Sequence, residues 1–245
     1  MAVPVNEKST LNQKEVMTKR KEEKLVKLYV WELPVRIFHW INAAAIVLLM
    51  ITGIYIANPF LSPTVHTHAT PSSLMGFVRN IHFFAGFVFT LNLLVRWYWV
   101  FKGNHYATSN PTKKEFWVGT IETIKDYLFL KNKKRHYIGH NPLAQLSYWI
   151  FIGGGSLTIM FTGYFLLFEP QPHTWLGAMF AWVPGVFGGD SYGVRSIHHF
   201  VAWGFIIFMI VHIYMAFRED WLSKNGTMSS IFTGYKTEKK HDEDH

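Results

Sequence analysis

Four stretches of this sequence run for some twenty residues or more with almost no charge, and polar segments separate them. They cover about 35–57, 79–101, 143–168 and 196–217, and a helix of about 20 apolar residues is enough to cross a bilayer core. None alternates with the period of a strand, so the pattern predicts an all-α integral membrane protein, a bundle of four transmembrane helices surrounded by lipid. The first apolar run, Ile41 to Ile56, follows a basic leader as in a signal peptide. That leader is long, about 30 residues, and the run continues to full spanning length, so an uncleaved first helix is expected.

The polar segments divide the rest. Residues 1–28 alternate charge and predict a flexible arm, residues 29–222 hold the bundle, and residues 223–245 form a tail ending in HDEDH. The 58–78 connection carries Pro59, Pro63 and Pro71 and is expected to be irregular. The 102–140 connection contains EFWVGTIETIKDYLFL, an amphipathic stretch suited to a helix lying in the membrane interface. The 169–195 connection mixes a shallow apolar patch, WLGAMFAWVPGVFGG, with Gly and Pro. No repeat of fixed period is evident.

Charge orients the bundle. Of the 24 Lys and Arg, eight lie in residues 1–36, eight in 102–140 and five from Arg218 onward, with Arg96 near the inner end of span two. Only Arg79 and Arg195 border the other two connections. By the positive-inside rule both termini and the middle connection lie in the cytoplasm, which fits a multi-pass protein of the cell inner membrane. The net charge of +8 is thereby accounted for as topology, and nucleic-acid binding has nothing left to explain. Trp31, Trp40, Trp97, Tyr98, Trp99, Tyr148 and Trp149 border the spans, where amphipathic rings settle.

The chain has no cysteine and 13 histidines. Disulfides, thiolate-held iron–sulfur clusters and covalent haem attachment through Cys-x-x-Cys-His are therefore excluded. Ionisable groups inside a span are costly and mark function. Four histidines qualify, and the topology sorts them by depth. His82 and His198 fall near the outer surface, His39 and His212 near the inner one. His198 and His212 are 14 residues apart, close to four helical turns, so they share one face about 21 Å apart along the axis. One helix thus offers an imidazole at each membrane edge. Two non-covalent b haems need this arrangement, each iron taking one imidazole from span four and one from a neighbouring helix.

Three further spacings agree with haem. Gly53 lies 14 residues after His39, on the same face at the depth of the outer pair, where a side chain would meet a macrocycle. Arg96 lies 14 after His82, at the inner depth. Arg36, Arg79 and Arg195 each precede a histidine by three residues, one turn nearer the surface, where anionic propionates would lie. A lone membrane histidine can equally be a packed, hydrogen-bonded residue. The two pairs are too far apart for one four-histidine zinc or copper site, and neither has carboxylate ligands at its depth.

The other histidines carry less. His199 is about 100° round the helix from His198 and is the alternative ligand there. His66, His68, His105, His136, His173, His241 and His245 read as solvated. His140, with Asn141 and Gln145, puts hydrogen-bonding groups near the inner pair. This is either a helix start with Pro142 in its first turn or a site for a quinone carbonyl.

With these residues in view, the chain resembles the dihaem b-type cytochrome subunit of membrane-bound nickel–iron hydrogenases, which is related to the formate dehydrogenase gamma subunit. The segments that carry the likeness are YVWELPVRIFHW, GFVRNIHFFAGFVFTLNLLVRWYW, IGHNPLAQ, HHFVAW, VHIYMAFRED and IFTGYK, over roughly residues 29–236. Where the family often has His-x-x-His before the last helix, this chain has Arg195-x-x-His198. The resemblance implies axial ligation by His82 with His198 on the periplasmic side and by His39 with His212 on the cytoplasmic side. It also implies partners, the large subunit and iron–sulfur small subunit of a periplasmic nickel–iron hydrogenase, whose electrons would cross both haems to membrane quinone. The two outer connections would form the docking rim. The chain would then be an electron-transfer subunit of a hydrogen:quinone oxidoreductase complex, not catalytic for hydrogen by itself. A formate dehydrogenase cytochrome shares this architecture, and a haem-free transporter is the alternative of another class.

Overall fold

The computed structural model describes residues 25–60, 74–102, 113–128, 130, 142–224 and 226–239. Four helical segments among them are long and apolar enough to cross a membrane: Leu33–Ala57, Leu74–Trp99, Pro142–Phe168 and Ser191–Ser223. The first span is α1 (Leu33–Ala57), with Pro34 in its first turn, where a missing N–H costs nothing. The second is α2 (Leu74–Lys102), which starts earlier than the apolar pattern implies, so residues 74–78 are helical.

The third span is continuous but changes its winding. It runs as α4 (Pro142–Tyr148), a π-helical stretch Trp149–Gly155, and α5 (Ser156–Phe168). The widened turn coincides with WIFIGGG, whose three glycines offer no side chains to hold a tighter spiral. Such π turns gather at functional sites. The fourth span is α8 (Ser191–Ser223). The Asp190 side chain caps it by accepting the Gly193 N–H at 2.7 Å, and Lys224 ends it in the left-handed region at φ 50°. Each cap lies beyond the apolar run, which is why the helix outlasts the predicted 196–217 at both ends.

Helices α1 and α2 pack closely against each other, and α5 packs against α8, while the two pairs meet more sparingly. The outer connection folds back as α6 (Trp175–Phe180) and α7 (Val183–Val186). Phe180, Val183 and Val194 form a buried cluster there against Phe161, Tyr164 and Phe165. The apolar patch in the 169–195 connection is thus a folded cap over the end of the third and fourth spans.

The chain ends depart from expectation. Strands β1 (Leu25–Tyr29) and β2 (Tyr235–Lys239) pair antiparallel, from Leu25 opposite Lys239 to Tyr29 opposite Tyr235. Between α8 and β2 lies α9 (Thr227–Thr233). The Trp31 indole donates to Ser230 Oγ at 3.1 Å, and Trp40 stacks on Phe232 at 4.6 Å. Residues 25–28 of the expected flexible arm and 227–239 of the tail are therefore structured, and they bind each other on one side of the bundle. Neither strand could persist alone, since two five-residue strands are marginal without a packed face. The Trp31–Ser230 contact and Lys236, held over the Trp31 ring, supply that face.

Helix α3 (Lys114–Tyr127) realises the amphipathic stretch, with Phe116, Gly119, Thr120 and Thr123 turned inward. Trp117, Ile121, Ile124 and Leu128 are exposed on its other side. The Arg218–Asp126 ion pair, at 3.6 Å, ties it to the end of α8. An outward apolar face of this kind belongs against lipid. A spin label on Ile121→Cys, in a chain with no native cysteine, should be more accessible to oxygen than to a water-soluble nickel chelate. A label on inward-facing Thr120 should be accessible to neither.

Candidate functional site

The four histidines divide between two regions of the bundle. In the region predicted to lie on the outer side, His82 projects from α2 toward α1, where its Nδ1 lies 2.8 Å from Thr52 Oγ1. His198 projects from α8 toward α5, where its Nδ1 lies 2.9 Å from Thr162 Oγ1. Each ring lies on the next residue of the helix that receives it, and in both cases that residue is glycine. A Cβ at Gly53 would stand 3.4 Å from His82 Cε1, and one at Gly163 would stand 3.2 Å from His198 Cε1. Gly53 thus stands beside His82, and a side chain there would meet the His82 ring.

In the inner region the His39 and His212 ring centres are 6.2 Å apart at 47°. His212 stacks on Phe208 and His39 meets Trp40 edge-on. The His39 Nδ1 is buried without a hydrogen-bond partner among the described residues, and His212 is exposed on the protein surface. Phe89 and Phe205, seven residues beyond His82 and His198, meet edge to face at 6.4 Å between the two regions.

The arginines divide. Arg96 lies over the Tyr148 ring at 5.3 Å, on the part of the bundle that carries the inner histidines. Arg36 donates to the Phe232 carbonyl of α9, and Arg195 pairs with Glu169 at 3.7 Å. Arg79 is exposed, 6.0 Å from the Phe83 ring. The three-residue spacing therefore sets each arginine on its histidine's side, but for Arg36 and Arg195 a protein acceptor is already in reach. Of the proposed quinone group, Gln145 is buried at 1% exposure, while His140 and Asn141 lie outside the described residues. His199 is exposed beside His198, and His173 is exposed. His66, His68, His105, His136, His241 and His245 fall outside the described residues.

Sequence reasoning missed Thr52 and Thr162, and read Tyr148 only as a ring at the border of a span. The signal was there: Thr-Gly occurs in span one as MITGIYI and in span three as MFTGYFL, and Tyr148 precedes Thr162 by 14 residues.

Two facing imidazoles suit a single metal ion between them, since metal–nitrogen bonds of about 2 Å put the ring centres roughly 6 Å apart. The inner pair has that separation. Among the described residues no group of three or more His, Asp or Glu is assembled. A bare ion wanting four ligands is poorly served, whereas haem iron asks the protein for two.

A four-span membrane bundle with histidines on its facing helices suits one class, the membrane-embedded b-type cytochromes that transfer electrons. The chain belongs to one family of that class, the prokaryotic cytochrome b561 family, whose pattern matches residues 30–234. Among curated proteins it is 37% identical over 221 residues to the "Probable Ni/Fe-hydrogenase B-type cytochrome subunit" of Azotobacter vinelandii, covering 88% of this chain and 91% of that one. The protein of the same name from Cupriavidus necator is 37% identical over 216 residues, 86% of this chain and 87% of the relative. The "Probable Ni/Fe-hydrogenase 1 B-type cytochrome subunit" of Escherichia coli K12 is 37% identical over 230 residues, 90% and 95% respectively.

Proposed function

We propose that this chain anchors a periplasmic nickel–iron hydrogenase to the cell inner membrane and carries its electrons from the iron–sulfur small subunit, through two b haems, to membrane quinone. The observation that carries the reading is the approach of His39 on α1 and His212 on α8, with ring centres 6.2 Å apart, and α8 would contribute His198 to the second pair in the same way. Haem b supplies a one-electron centre that cycles between ferric and ferrous iron. His82 and His198 would hold it on the outer side, His39 and His212 on the inner. Arg96 is the arginine best situated for an inner propionate, and Gln145 the described member of the quinone group. The excess of Lys and Arg on one side supports cytoplasmic termini. The names of the relatives support the hydrogenase partner, and the absence of cysteine fits a scheme in which a partner holds every cluster.

The test is a reduced-minus-oxidised spectrum of the purified, haem-replete chain together with the metal content of what co-purifies. Two low-spin b-type centres and a nickel-containing partner are expected. No haem absorbance would remove the cytochrome reading, and a molybdenum- or tungsten-containing partner would reassign the complex to a formate dehydrogenase.

A further inference from the structure

His82 and His198 share a device that has no counterpart at His39 among the described residues. Thr52 Oγ1 lies 2.7 Å from the Leu48 carbonyl, one turn back in its own helix, and Thr162 Oγ1 lies 2.7 Å from the Thr158 carbonyl. A hydroxyl has one proton, and a carbonyl can only accept, so in each case the proton is directed at the backbone. What the oxygen then offers the imidazole is a lone pair. At 2.8 Å and 2.9 Å, Nδ1 of His82 and of His198 must therefore be the donor. A neutral ring protonated at Nδ1 has its free lone pair on Nε2. The following glycine completes each seat, because it lets the ring edge rest against the helix where a Cβ would stand only 3.2–3.4 Å away.

We propose that Thr52–Gly53 and Thr162–Gly163 are matched sockets that hold His82 and His198 in the Nδ1–H tautomer, so that both present Nε2 to the same metal centre. The threonines are positioning residues, acting through the ligands they fix, and the inference rests on the haem reading above. The sockets stand on α1 and α5, the ligands on α2 and α8. The His39 Nδ1 has no such acceptor among the described residues, so the device distinguishes the outer centre from the inner. A ring that donates its second N–H is held in orientation and gives more electron density to its metal, and losing such a partner typically costs about 10- to 100-fold in metal affinity.

The test uses the haem-loaded full chain, with His82→Ala and His39→Ala identifying the optical signal of each centre. Thr52→Val and Thr162→Val keep the side-chain shape and remove the acceptor. Each should raise the midpoint potential of the outer centre, a tenfold loss of ferric over ferrous binding reading as about 59 mV, and should leave the inner centre unmoved. Thr→Ser at either position should retain the parent potential. The Thr52 variant is the sharper of the two. Its own helix carries the inner ligand His39, so a role in helix packing alone would disturb the inner centre instead. Unchanged potentials in both valine variants, or a shift confined to the inner centre, would overturn the sockets while the haem reading stands. Should a valine variant fail to bind any haem, serine decides: parent behaviour supports the socket, and a defect equal to valine's overturns it. If His82→Ala and His198→Ala both keep two haems, the assignment of these histidines as ligands fails and takes the sockets with it.

Discussion

His198→Ala should lose the outer b-type signal and leave the inner one in place, and His82→Ala should do the same. An iron deprived of one axial nitrogen loses a bond with no nearby replacement, since His199 is exposed on another face of α8. Haem per chain is expected to fall to about half in either variant, and the double variant should be no worse than the single ones, because both members serve one centre. His39→Ala and His212→Ala should remove the other signal. Replacing His198 and His212 together should empty both sites, since α8 supplies a ligand to each pair. Pyridine haemochrome content and low-temperature spectra of the purified variants check this. Complete haem loss from a single change at His82 would break the proposed pairing.

The proposed pairing can be argued from the linear sequence because helical spacing and span direction are both contained in it. Fourteen residues between His198 and His212 fix a shared face whatever the neighbours do, and the order of spans sets which histidines match in depth. The arginines mark where such reasoning stops. Three residues before a histidine places Arg36 and Arg195 on the right side of their helices, yet spacing says nothing about a Phe232 carbonyl or a Glu169 carboxylate from elsewhere in the chain. Thr52 and Thr162 were invisible for another reason. A threonine in an apolar helix ordinarily bonds its own backbone and signals nothing further, and only the approach of a second helix shows that its remaining lone pair is used. The β1–β2 pair joins segments separated by the entire bundle, and five-residue strands are too short to declare a period. The π turn was missed because three consecutive glycines do not by themselves announce a change of winding.

Gly193→Ala should be among the most destabilising single-methyl additions this chain can receive. A Cβ there would fall 2.2 Å from the Gly188 carbonyl oxygen and 2.6 Å from its carbon. These are backbone atoms, so no rotamer relieves the clash, and Gly188 already occupies the left-handed region at φ +96°. The contact seats the first turn of α8, where the Gly193 N–H meets the Asp190 cap at 2.7 Å and the adjacent Val194 is fully buried against Phe180 and Val183. Opening it costs about 3 kcal/mol on the scale of overpacked cores, or roughly 6–12 °C in Tm for a chain of this size. The damage should be local as well as global. His198 lies five residues along the same helix, about 7.5 Å from the clash, while His212 is about 28 Å away. The outer haem should therefore be lost at a lower temperature relative to the inner one than in the parent protein. Gly185→Ala is the control, because a Cβ there meets nothing within 4 Å and should change stability by no more than about 0.5 kcal/mol. Thermal unfolding followed separately at the two haem absorbances distinguishes these outcomes. An unchanged interval between the two losses in Gly193→Ala would mean that the start of α8 does not set the position of His198.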